Sequence, residues 1–104
     1  MPRNAKMIVV SETTIPGPAG AVVYVVDDAN KIIGMNYCCP CGCGRWGFMG
    51  LPGYTFSDST WQVVAGTVGS DDLTLQPSIG FARDKTTGQY HWHGYLRVGV
   101  FEEC

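Results

Sequence analysis

At 104 residues, with 45% hydrophobic and 15% charged positions, the chain is sized for a single globular domain. Its net charge of −2 and its scattered basic residues argue against nucleic acid as a partner. No stretch approaches the roughly 18 apolar residues of a membrane span, and Met7–Val10 is too short an apolar run for a secretory signal. A cytoplasm, where thiols stay reduced, is therefore the expected location.

In chain order, residues 1–6 are expected to fray, and Met7–Val10 is a short strand candidate. Ile15-Pro-Gly-Pro-Ala-Gly20, with two prolines and two glycines, is a loop. Ala21–Val26 is β-branched and aromatic and predicts a strand. Asp27–Asn30 carries turn chemistry, and Lys31–Asn36 returns as the second arm of a hairpin. Arg45–Met49 is a further short strand and Leu51–Tyr54 a turn. In Trp61–Ala65, Trp61 and Val63 share one face of a strand, and Gln62 and Val64 the other. Gly69–Asp72 is a loop, Leu73–Leu75 a strand ended by Pro77, and Asp84–Gly88 a loop. Tyr90–Val98 and Val100–Cys104 form a last hairpin around Gly99. No window carries a helical apolar period, so the expected fold is all-β: one domain over residues 1–104, a small sandwich or rolled antiparallel sheet.

The cysteines point to chemistry. Cys38, Cys39, Cys41 and Cys43 lie within six residues, and Cys104 stands alone at the other end. Such clustering staples distant loops poorly, whereas grouped thiols in a reducing compartment suit a metal. In Cys39-Pro-Cys-Gly-Cys-Gly44, Pro40 fixes one backbone angle while Gly42 and Gly44 permit left-handed ones, so the thiolates can converge. Zinc accepts thiolate and imidazole in a tetrahedral set. Adjacent Cys38 and Cys39 do not readily bind one ion together, and Cys39 is the favoured ligand. The alternative is that these are reduced cysteines packed in a tight loop.

His91 and His93 point to the same face of a strand, so either or both can complete the set; otherwise they belong to the aromatic cluster of Tyr90 and Trp92. Cys104 depends on hairpin register. A two-residue loop Val98-Gly99 pairs Arg97 with Val100 and sets Cys104 opposite His93. A turn at Arg97-Val98 followed by a bulged Gly99 sets it opposite Trp92. Valine dislikes the left-handed angle of a type I′ turn, which favours the bulged form and leaves Cys104 either a ligand or a free thiol.

Taken together, Cys39–Gly44, Trp61–Val64, Leu73–Ile79 with its Pro-Ser-Ile, and the histidine strand with its glycine hairpin at His91–Gly99 resemble a family of small bacterial and phage domains. The resemblance spans roughly residues 32–104. It implies a metal-binding domain with Cys39, Cys41, Cys43 and His93 as site positions. Some relatives are encoded beside bacterial ubiquitin-like conjugation enzymes, and the His-Trp-His-Gly-Tyr-Leu form looks like the stand-alone phage type. Relatives often carry a cysteine where this chain has Tyr90, so the fourth ligand is His91, Cys104 or His93 itself.

The expected function is a non-enzymatic module with structural zinc, binding another protein or its own copy as a phage accessory or virion-surface component in the host cytoplasm. The alternative is a zinc-dependent, peptidase-like hydrolase linked to ubiquitin-like conjugation. That needs an open metal position and a base, and Asp58, Asp71, Asp72, Glu102 and Glu103 stand in no recognisable catalytic motif. A nucleic-acid binder stacking bases on Trp46, Phe48, Tyr54, Trp61 or Trp92, and a redox protein using Cys41 and Cys43 beside Arg45, are weaker expectations.

Overall fold

The computed structural model describes residues 3–52, 54, 61–83, 86–87 and 90–104. Among the described residues ten strands run β1 Ala5–Lys6, β2 Ile8–Val9, β3 Ala21–Val26, β4 Ile32–Cys38, β5 Trp46–Gly50, β6 Gln62–Ala65, β7 Thr74–Gln76, β8 Ile79–Arg83, β9 Tyr90–Arg97 and β10 Val100–Glu103. They form two four-stranded sheets, ordered β1-β10-β9-β8 and β2-β3-β4-β5, and a two-stranded sheet β6-β7. The described residues contain no helix, as the lack of a helical period predicts, and no helix long and apolar enough to cross a membrane.

Alternation builds the core. On β9, Trp92, Gly94 and Leu96 are buried while His91, His93 and Tyr95 are half-buried, the period-two pattern of a strand with one face inward. Trp92 and Leu96 meet Phe101 of β10 and Phe81 of β8 from one sheet, and Val22, Met35, Tyr37 and Met49 from the other. Tyr37 bridges the sheets, its ring 5.6 Å from that of Phe81 and 6.1 Å from that of Phe101. Between β1 and β2 the chain switches sheets at buried Met7, whose N–H donates to the Gly99 carbonyl at 2.8 Å.

The hairpin of residues 21–36 forms as expected, with β4 extending through Cys38. Trp61 and Val63 pack against the core while Gln62 and Val64 face outward. Strand β8, which the sequence reading passes over, contains Gly80 and Ala82 and so carries little intrinsic strand signal; its pairing with β9 supplies what propensity lacks. Within the segment expected to fray, Ala5–Lys6 pairs with β10, and Arg3 makes an ion pair with Glu103. The Leu51–Tyr54 turn and the Asp84–Gly88 loop fall partly outside the described residues, and Asp58 wholly so.

The last hairpin corrects the expected register. Val100 pairs with Arg97 and Glu103 with Gly94, so the connection is the two-residue loop and Cys104 continues opposite His93. Val98 and Gly99 both take the left-handed region, at φ 48° and 72°, as a type I′ turn requires. The valine pays about 1–2 kcal/mol for that angle. Its N–H donates to Thr74 Oγ1 at 2.9 Å, the Gly99 N–H donates to the Leu73 carbonyl at 2.9 Å, and Gly99 accepts from Met7. Three such bonds at about 1 kcal/mol each outweigh the strain. Val98→Asn, which tolerates this region while keeping the N–H bond, is expected to raise stability by about 1 kcal/mol; urea unfolding of the two proteins checks it, with a higher midpoint at unchanged slope as the expected result.

Candidate functional site: a thiol–imidazole group and a serine–histidine pair

The β4–β5 connection carries the cysteines. Cys38 is the last residue of β4, fully buried and opposite Trp46. The ladder closes one step further, with the Cys39 N–H donating to the Arg45 carbonyl at 2.8 Å. The loop between turns on Gly42 and Gly44, at φ 90° and 83°, angles that favour glycine. Cys39, Cys41, Cys43 and His91 are thereby gathered with their donor atoms all within 4.8 Å of one another. Cys41 Sγ lies 3.3 Å from Cys39 Sγ and 3.0 Å from His91 Nε2.

The thiols differ in environment. Burial pushes the Cys39 thiol up. At Cys43 burial acts in the same direction but is outweighed by hydrogen bonds from the Arg45 backbone and side chain and from Cys41 and Cys39, which bring it down to about 6. Tetrahedral zinc with bonds of about 2.3 Å to sulfur separates its sulfurs by about 3.8 Å, so three thiols and an imidazole at these distances suit such an ion. Cys38 is not part of this group. Of the two histidines, His91 joins the thiols.

His93, the position that the resemblance carries over as a ligand, is engaged elsewhere. Its Nε2 lies 3.0 Å from Ser78 Oγ, and its Nδ1 lies 3.2 Å from Cys104 Sγ. The meeting follows from register. Ile79 pairs with Gly94 and Gly80 with His93, so Ser78, one step before β8, falls on the outward face beside His93 and Tyr95. Across that pair Gly80 has no side chain, and an added Cβ would lie 2.4 Å from the Tyr90 ring. The Tyr90 ring instead covers the gap and stacks on the His93 imidazole with centroids 5.4 Å apart. The Trp61 indole N–H donates to the Ser78 carbonyl at 3.3 Å. Ser78 also opens onto a cleft of about 470 Å³ lined by Gln62, Gln76, Pro77 and Tyr95.

Three of the carboxylates weighed as catalytic bases are occupied by local structure: Asp72 bonds Ser70 and Thr67, Glu103 pairs with Arg3, and Glu102 lies 3.7 Å from Arg97. Hydrogen bonds from Ser70 and from Arg3 hold Asp72 and Glu103 below the usual carboxylate range. The serine–imidazole contact that the sequence alone does not reveal is that of Ser78 with His93. Ser78 lacks the Gly-x-Ser-x-Gly surroundings that mark a nucleophile in sequence, and only the pairing of β8 with β9 brings it to the imidazole.

Residues 10–104 match a protein family described as bacterial ubiquitination-like system serine protease (BubE). The chain belongs to this family. Nothing among curated proteins or solved structures matches it. BubE membership agrees with the expected relation to ubiquitin-like conjugation, and its description as a protease favours the hydrolase alternative over a non-enzymatic module. It lends no support to a phage or virion role. The description names serine as the chemistry, whereas the hydrolase expected from the sequence is zinc-dependent.

Elemental analysis separates the two histidines. About one divalent ion per chain is expected in the untagged protein, lost in Cys41→Ser and His91→Ala and retained in His93→Ala. Loss in His93→Ala alone would return that residue to the metal site.

Proposed function

We propose that this protein is a serine peptidase acting on the ubiquitin-like protein, or its conjugates, of a bacterial ubiquitination-like system, with Ser78 as nucleophile and His93 as general base. The observation that carries this reading is the 3.0 Å approach of Ser78 Oγ to His93 Nε2 beside an open cleft, in a family described as serine proteases. That distance is the hydrogen-bond reach an activated nucleophile needs.

The chemistry then runs as acyl transfer. Substrate lies along the cleft with its scissile carbonyl over Ser78. His93 Nε2 takes the hydroxyl proton as Oγ bonds to the carbonyl carbon. The imidazolium returns that proton to the departing amine as the acyl–serine ester forms. Water, deprotonated by the same nitrogen, hydrolyses the ester and frees the serine. The Tyr90 ring keeps one face of the imidazole out of water, and the Trp61 bond to the Ser78 carbonyl fixes the backbone from which Oγ projects.

Cys39, Cys41, Cys43 and His91 would hold structural zinc. Four protein donors fill a tetrahedral site and leave no open position for substrate or water. When bound, the ion supplies a cross-link between the β4–β5 loop and β9. The partners of this reading are the other proteins of the same conjugation system, and a cytoplasm, which keeps the knuckle thiols reduced, suits it.

A fluorophosphonate probe and a ubiquitin-like protein carrying a C-terminal extension test the proposal together. The wild-type chain is expected to be labelled at Ser78 and to remove the extension. Ser78→Ala and His93→Ala are each expected to lose at least about a thousandfold in kcat/KM while keeping their metal. Unchanged cleavage in Ser78→Ala, with activity abolished by chelation of a folded protein, would instead support metal-centred hydrolysis.

A further inference from the structure

The peptidase reading uses one nitrogen of His93, and the other has a partner of its own. Cys104 Sγ lies 3.2 Å from His93 Nδ1. Two further contacts set that thiol in place: the Cys104 N–H donates to the His93 carbonyl at 3.0 Å, and the thiol lies 3.5 Å from the same oxygen. The S–H thus has an acceptor in the carbonyl, and the sulfur lone pairs are left to accept from the ring. Among the described residues, no carboxylate hydrogen-bonds His93; the nearby Glu102 and Glu103 belong to Arg97 and Arg3.

A neutral imidazole carries its proton on one nitrogen only. To take a proton from Ser78, Nε2 must be bare, so Nδ1 must hold the hydrogen and needs an acceptor. We propose that Cys104 is the positioning residue of the Ser78–His93 pair, its sulfur accepting from Nδ1–H and so holding the ring in the productive tautomer and orientation. The proposal rests on the peptidase reading for its consequence and on contact geometry for its content. Sulfur is a weaker acceptor than a carboxylate, so the thiol orients the ring and adds little charge stabilisation. No bond to sulfur forms or breaks in this role.

The role also explains what the hairpin register accomplishes. With the loop limited to Val98 and Gly99, Cys104 continues the β10 ladder opposite His93. The bulged alternative would have turned it toward Trp92 and left Nδ1 without this partner.

The test compares the wild-type chain with Cys104→Ala and Cys104→Ser, each metal-loaded, by two readouts. Long-range proton–nitrogen correlation spectra of the imidazoles report which His93 nitrogen bears hydrogen, whether or not the protein is an active peptidase. The rates of fluorophosphonate labelling and of substrate cleavage report reactivity. In the wild type His93 is expected as the Nδ1–H tautomer. Cys104→Ala is expected to mix the tautomers and to lower kcat about tenfold or more with KM little changed; Cys104→Ser, whose hydroxyl accepts in the same place, is expected within about threefold of wild type. A merely structural role would not give that split between alanine and serine. Unaltered tautomer and rate in Cys104→Ala would overturn the proposal. If Ser78 is never labelled, the peptidase reading falls, and the spectra alone decide whether Cys104 sets the tautomer.

Discussion

Strand β9 has two faces, and the placement of every group in the site depends on which residues occupy which. Its even positions, Trp92, Gly94 and Leu96, enter the core, and its odd positions, His91, His93 and Tyr95, face the other way. Because the side-chain period is two residues, a slip of one would bury two imidazoles and expose a tryptophan. Buried Trp92 and Leu96 make that slip costly: each fully buried large apolar side chain is worth about 1.5–3 kcal/mol. The same packing that stabilises the sheet therefore aims the histidines. The strained angle at Val98 belongs to this constraint too, since the tight turn holds β10 in the register that continues to Cys104.

Two histidines on one face of one strand receive different work from their neighbours. His91 faces the loop after β4, where Cys41 Sγ is 3.0 Å away. His93 faces Ser78 on one side and Cys104 on the other. Identity alone does not distinguish them, because an imidazole serves equally as ligand and as base. Both lie along β8; what distinguishes them is the group that reaches each imidazole, Ser78 just before β8 at His93 and the β4–β5 loop at His91. In the proposed enzyme the cross-link at His91 also restrains the strand carrying the base two residues on, so a metal site with no open position still bears on the geometry of the reaction.

Much of this was legible in the residues. Ala21–Val26 and the turn after it specify a hairpin through β-branching and turn chemistry, which are local properties. Cys39, Cys41 and Cys43 converge because a loop with glycine at two left-handed positions can fold back on itself, again a local property. Fourth partners and catalytic pairs are not local. Choosing between His91 and His93 needs the distance to a loop some fifty residues away in sequence, and recognising Ser78 needs the pairing of β8, whose glycine and alanine hide it from any reading of strand propensity. The register of the last hairpin escapes the sequence for a related reason: the preference of valine is local, whereas the bonds to Thr74 and Leu73 that overcome it are tertiary.

Chain length helps explain why a peptidase would carry such a metal group. A domain near 100 residues buries only about two-thirds of its unfolded surface, yet a serine nucleophile works only if its base stays within a few tenths of an ångström of hydrogen-bond distance. The Ser78–His93 pair lies on an open, half-buried face, where side-chain packing offers little restraint. Restraint there must come from fixed contacts: the Tyr90 ring over Gly80, the Trp61 bond to the Ser78 carbonyl, Cys104 at Nδ1, and the thiol group at His91. Larger proteases hold an imidazole through a buried acid embedded in an extensive core. In the proposed enzyme a thiol just past the neighbouring strand, with a cross-link two residues away, would provide the orientation from the surface.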